Sequence, residues 1–144
     1  FIALSLHACH RETDEDRVKR VISSVEKAVE EKKVAAVQEH VSRSYRDPQG
    51  NDYDGIKGLL AFYFLRHGAV SVSIPALDVS VTNDMARATF QAILTGRDGS
   101  DASQTVILPD ALGVYQFTVV LRKEENAWKI LSATWERLGD APRQ

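Results

Sequence analysis

Apolar residues recur at helical spacing in the first half of the chain and at alternate positions in the second, so helices are expected to precede a sheet. Thr13 followed by Asp14, Glu15 and Asp16 places a capping hydroxyl and three carboxylates where a helix start has unpaired N–H groups and positive dipole charge. Val18, Val21, Ile22, Val25 and Val29 then form one apolar stripe, with Arg17, Lys19, Arg20, Glu26 and Lys27 on a solvated face. A second short helix is predicted over residues 34–40 and a short strand over 41–46. Asp47-Pro-Gln-Gly-Asn-Asp52 is a turn, because Pro48 biases Asp47 away from helix and Gly50 permits positive φ. A third helix starts near Asp52 or Asp54 and stops at His67-Gly68. Its face of Ile56, Leu59, Leu60, Tyr63 and Phe64 should pack on a sheet.

Beyond Ala69 the period changes to two. Val70, Val72 and Ile74, then Val79 and Val81 after a break at Pro75, predict a long strand with a bulge or bend. Asn83-Asp84 turns it into a returning strand carrying Ala86, Ala88, Phe90, Ala92 and Leu94. Residues 96–113, rich in Gly, Ser and Asp, read as a long loop. Tyr115, Phe117, Val119 and Leu121 mark a third long strand, Glu124-Glu125-Asn126 a turn, and residues 128–138 the last strand. The residues after Gly139 read as a frayed tail.

Composition narrows the classes. With 144 residues, 44% hydrophobic and 26% charged, the chain fits one globular domain with one core, and no repeat or linker divides it. Lys and Arg number 18 against 20 acidic residues, a net charge of -2, which lacks the basic excess that nucleic-acid binding demands. The single cysteine, Cys9, excludes an intrachain disulfide.

Specific chemistries leave few traces. There is no phosphate-binding Gly-x-x-x-x-Gly-Lys loop, dinucleotide glycine fingerprint, His-Glu-x-x-His helix or Gly-x-Ser-x-Gly elbow. The acidic stretch 47–54 fails the calcium-loop pattern, with Gln49 third and Asp52 at the glycine position. His7 and His10 flank Cys9 without distant partners, and His40 and His67 stand singly near helix ends, so no metal and no cofactor are expected.

Three segments carry a resemblance to a known superfamily: the Tyr45-Arg-Asp-Pro-Gln-Gly50 turn, the apolar run 59–65, and Asn126-Ala-Trp-Lys-Ile130 with Trp135. With the element order, they make residues 13–138 resemble the nuclear transport factor 2-like, or cystatin-like, superfamily. The resemblance implies an α+β fold whose helices pack on a curved antiparallel sheet around a conical pocket. The expected lining is Tyr45, Asp47, Leu60, Tyr63, Phe64, Phe90, Phe117 and Trp135, although aromatic residues at such spacings serve the core in most cases.

The same resemblance leaves function open among isomerases, dehydratases, cyclases, adaptors and small lipoproteins. The leading expectation is a noncatalytic envelope domain that binds a small apolar ligand or a protein partner. The alternatives are a small-molecule isomerase, dehydratase or cyclase with Asp47 as acid or base, and a homo-oligomeric assembly module. The Asp47-Pro-x-Gly turn resembles the segment that carries the base of ketosteroid isomerase. However, the strand that supplies an aspartate there reads Phe117-Thr-Val-Val-Leu121 here, and the first helix has no tyrosine. In the simpler reading, Asp47 accepts N–H bonds within its own turn. A homodimer across the outer sheet faces is also expected, with Val114, Val120 and Ile93 set among Gln116 and Thr118.

The N-terminus resembles the end of a bacterial lipoprotein leader. An apolar run closes on Leu6-His-Ala-Cys9 and gives way to the charged stretch 11–20, although His7 stands where a small residue is usual. Residues 1–9 would then be a leader remnant and its lipobox, with Cys9 the lipidated residue and the only tie to a membrane. His10 at the next position favours the periplasmic face of the outer membrane. The alternative is an apolar N-terminal element with a buried thiol. Mass analysis of native protein extracted from membranes is expected to show a chain beginning at an acylated Cys9; an unmodified, uncleaved N-terminus refutes this.

Overall fold

The computed structural model describes residues 11–96 and 113–139. The expected leader with Cys9, most of the expected loop over 96–113 and the residues beyond Gly139 lie outside the described residues.

Three helices lead into the sheet. Helix α1 spans Asp14–Glu30 and opens on a full capping box, Thr13 and Asp16 each bonding the other's backbone N–H. Val18 and Ile22 are buried from its stripe, while Val21, Val25 and Val29 pack at the core margin. Helix α2 is Val34–Gln38 and helix α3 is Tyr53–Arg66, the latter capped by Asp52 through the Gly55 N–H. The chain leaves α3 at His67 in extended conformation, and the Lys32 ammonium bonds the Phe64 and His67 carbonyls there.

Residues 41–46 differ from expectation. They form isolated bridges at Val41 and Arg46 around a turn, because Ser42 Oγ accepts the Ser44 N–H and the Tyr45 N–H bonds the Ser42 carbonyl. Helix α3 also buries less than its expected face. Phe64 is buried and Ile56, Leu60 and Tyr63 are half-buried, but Leu59 is exposed, as are Phe62 and Leu65.

The sheet is antiparallel, with strands β1 (Val70–Ser73), β2 (Leu77–Thr82), β3 (Met85–Gly96), β4 (Gly113–Glu124) and β5 (Ala127–Gly139). Strands β1 and β2 lie end to end along one edge of β3. Between them Ile74, Pro75 and Ala76 stand opposite only Gln91 and Ala92, so the chain gains one residue at the proline. That extra residue explains why the core-facing positions move from Val70 and Val72 to Leu77, Val79 and Val81. A second irregularity falls at Leu131, since Val120 pairs with Ser132 while Leu121 pairs with Ile130. Here too the core face changes phase, from Trp128 and Ile130 to Ala133 and Trp135. The β4–β5 turn takes Glu125 and Asn126 at positive φ, as a tight hairpin requires.

The concave face is layered. Val81, Ala86, Leu121 and Ile130 form one cross-strand row, and Val79, Ala88, Val119 and Ala133 the next. Alanines on the central strand β3 leave room for helix α1, and Val18, Ala88 and Leu121 are sealed from solvent. The following row is Leu77, Phe90, Phe117 and Trp135, where aromatic rings replace small side chains.

Candidate functional site

The segment between α2 and α3 is stitched onto the free edge of β5 at its bulge. Ser42 N–H bonds the Ile130 carbonyl at 2.9 Å, Ile130 N–H bonds His40 at 2.7 Å, and Arg46 N–H bonds the bulged Leu131 carbonyl at 3.1 Å. This places Tyr45, 2% exposed, and Asp47, 9% exposed, inside the fold. Tyr45 donates its hydroxyl hydrogen to Asp47 Oδ2 at 2.8 Å. Asp47 Oδ1 accepts the backbone N–H groups of Gln49 and Asn51, each at 3.0 Å, and the Asn51 amide Nδ2 reaches both oxygens at 3.2 and 3.1 Å.

This arrangement fixes the protonation states. Burial acts to raise the Asp47 pKa, but the bonds from Asn51, Tyr45 and Gln49 outweigh it and hold the carboxyl below its usual range. For Tyr45, burial combines with the bond to Asp47 and its charge to push the phenol well above its ordinary value. The result is an ionised acceptor fed by a neutral donor, with every Asp47 oxygen occupied from within the chain. The in-turn acceptor role is therefore what the geometry shows.

Of the other expected residues, Phe90, Phe117 and Trp135 lie farther along the sheet. Phe90 and Phe117 stack with centroids 5.3 Å apart and planes 9° from parallel, and Trp135 and Tyr115 each lie 6.3 Å from Phe117. Phe64, buried, and Tyr63 and Leu60, half-buried, come from α3. Phe117, Trp135 and Tyr115 are only half-buried, so this aromatic wall continues from the core to the surface. Tyr63 meets Phe64 edge-on at 6.1 Å and the His67 ring at 4.4 Å. Its hydroxyl is buried without a hydrogen-bond partner, and burial, with Tyr115 adding to it, pushes its pKa up to about 12. Burial, followed by Lys32 and Arg66, lowers the pKa of His67.

The structure thus divides the expected lining into three parts. Tyr45 and Asp47 form a closed hydrogen-bonded unit, Phe90, Phe117 and Trp135 form an aromatic row on the sheet, and Leu60, Tyr63 and Phe64 stand on α3. Tyr115 and Leu77 adjoin that row and were missed, although both share the alternation of residues that were singled out. Among the described residues no group of His, Cys, Asp and Glu is placed to hold a metal, and no helix is long and apolar enough to cross a membrane.

No known family profile and no curated protein matches the sequence. Solved structures do match. A nuclear transport factor 2-like protein of unknown function from Pseudomonas putida is 16% identical with a TM-score of 0.70, covering 90% of this chain and 96% of its own. A candidate dehydratase of the same fold family from Streptomyces avermitilis is 14% identical with a TM-score of 0.71, over 87% and 96%. Bd1075 of Bdellovibrio bacteriovorus is 12% identical with a TM-score of 0.69 over 85% of this chain, which spans only 40% of that protein. The chain has the nuclear transport factor 2-like, or cystatin-like, fold, as the residues of its turn and closing strand implied.

The hydrogen bonds on Asp47 predict a pH signature. Its folded pKa is depressed, so its contribution to stability is complete above the unfolded value of 3.8 and is lost as pH falls through the lower folded value. In urea titrations, Asp47→Asn should be less stable than wild type at neutral pH, with the gap narrowing below about pH 4. Tyr45→Phe, which removes one donor to a buried carboxylate, should cost about 2 kcal/mol. An Asp47→Asn deficit that does not change with pH contradicts the ionised role.

Proposed function

We propose that this nuclear transport factor 2-like domain is noncatalytic and holds a small apolar, ring-containing ligand against the aromatic wall of β3–β5. The observation that carries this reading is the half-buried row of Phe117 and Trp135 beside Phe90, an apolar surface continuous from core to solvent. Aromatic faces of this kind favour flat apolar partners by offset stacking and area burial. Tyr63, with a buried and unpaired hydroxyl, supplies one polar group beside Phe64 on α3.

The alternative is an acid–base enzyme with Asp47 as the working group. One structural neighbour is named as a candidate dehydratase, which keeps that class within the reach of the fold. Against it stands the saturation of both Asp47 oxygens by Tyr45, Gln49 and Asn51, since a general base needs a free lone pair facing the proton it takes.

N-phenyl-1-naphthylamine, an uncharged dye that brightens in apolar sites, is expected to bind saturably and to quench Trp135. Phe117→Ala should weaken it about tenfold, equivalent to about 1.4 kcal/mol. Absence of saturable binding, or equal binding by Phe117→Ala, rejects the reading. Turnover of a β,γ-unsaturated ketone that Asp47→Asn abolishes while remaining folded replaces it with the enzyme.

The envelope setting, with a lipid on Cys9, and a homodimer across the convex sheet face complete the proposal. Ile93, Val114 and Val120 on that face are half-buried among Gln116 and Thr118. A cysteine at Thr118→Cys is expected to crosslink two copies, and a monomer mass in light scattering at high concentration argues for a single copy.

A further inference from the structure

A concavity of about 340 Å³ lies at the β4–β5 turn, away from the aromatic wall. Three separate stretches build it. Arg17 and Arg20 come from successive turns of α1, Glu39 and His40 from the end of α2, Asn126 from the turn, and Lys129 from β5. Val21, Ala127 and Trp128 supply apolar surface between them. The lining therefore gathers three permanent cations and one carboxylate, while Asp14 and Glu12 pair with Arg17 and Arg20 beside it. In sequence these residues are far apart, and only the fold brings them together.

Existing contacts orient the cations and leave them capacity. Arg17 bonds Asp14 at 3.2 Å and the Asn126 carbonyl, Arg20 bonds Glu12, and the Lys129 ammonium bonds the Glu39 carbonyl. A carbonyl partner fixes direction without cancelling charge, and each guanidinium has five N–H donors. His40 is half-buried, and burial, followed by Lys129 and opposed by Glu39, lowers its pKa. At neutral pH it is an uncharged imidazole with an N–H to offer.

We propose that this cleft binds a phosphate-type oxyanion, either free or as a lipid headgroup, through Arg17, Arg20 and Lys129. Donors arriving from a helix and a strand suit an anion with several oxygens, and arginine forks match phosphate geometry. Cys9 lies eight residues before Arg17 in sequence. A lipid there would hold the cleft within about 28 Å of the bilayer surface, which makes a headgroup a physical source of the anion.

The ring-proton NMR titration of His40 reports occupancy. At constant ionic strength, inorganic phosphate is expected to raise the His40 midpoint by about one pH unit and to leave His67 unchanged. Arg20→Gln alters a largely exposed side chain, so folding should be kept while the response is lost. Lys129→Gln should raise the midpoint by itself and abolish the further rise. Vesicles of phosphatidylglycerol, compared with phosphatidylcholine alone, separate the sources: selective co-sedimentation lost in both variants assigns the headgroup, and a phosphate response without it assigns the free anion. No His40 response to phosphate together with no vesicle preference overturns the proposal. So does a response shared by His67 or retained in both variants.

Discussion

Leu131 has no partner on β4, and this unpaired residue sets the direction of the side chains from Ser132 to Arg137 on β5. Without it, strand alternation from Trp128 and Ile130 would carry Ser132 and Thr134 onto the concave face and turn Trp135 outward. With it, Ala133 and Trp135 join the cross-strand rows of Val119 and Phe117. The same bulge gives the 40–46 segment its hold on the sheet, since the Leu131 carbonyl receives Arg46 N–H while Ile130 exchanges bonds with His40 and Ser42. Tyr45 is buried because of that attachment, and Asp47 follows two residues later with its carboxylate turned to the phenol.

Packing against the sheet changes along its length for a reason of side-chain size. Ala86 and Ala88 on the central strand allow α1 to approach, so Val18 and Ile22 fill that end with dry contacts. The Phe90, Phe117 and Trp135 row fills its own space by ring stacking and does not need the helix so close. Surface left between a tightly packed end and an aromatic row is where an apolar molecule gains most by replacing water. The closed Tyr45–Asp47 unit serves a different purpose. Burying an ionised carboxylate is costly unless its oxygens are satisfied, and the turn supplies those donors locally.

Much of the fold was legible because its signals are local. Thr13 with three acids marks one helix start, and Asp52 caps another. The shift of apolar positions from even to odd numbers across Pro75 discloses the bend before any pairing is known. The same parity change from Ile130 to Ala133 was equally present, but a one-residue slip within an apolar run is easily read as a continuous strand. Helix α3 was less legible: Leu59, Leu60, Phe62, Tyr63, Phe64 and Leu65 leave no polar stripe to choose a face, so the exposure of Leu59 could not be read. Residues 41–46 suited a strand by composition, yet Ser42 bonds its own turn and breaks the extended run.

The candidate site was readable in its residue types and unreadable in its grouping. Alternation identified Phe90, Phe117 and Trp135 as facing one way, whereas the separation of Tyr45 and Asp47 into a closed unit depends on how Asn51 folds back over the turn. Arg17 and Arg20 looked like a solvated helix face because helical periodicity says nothing about a strand more than a hundred residues later. Lys129 and Trp135 lie on one strand, six residues and about 20 Å apart. Strand alternation on one side of the bulge points Trp128 inward and Lys129 to the opposite face, where its ammonium bonds the Glu39 carbonyl; on the other side it points Trp135 inward. One rigid element can thereby present a cation at one end and an aromatic ring at the other, so ligands of opposite polarity need not compete for the same surface.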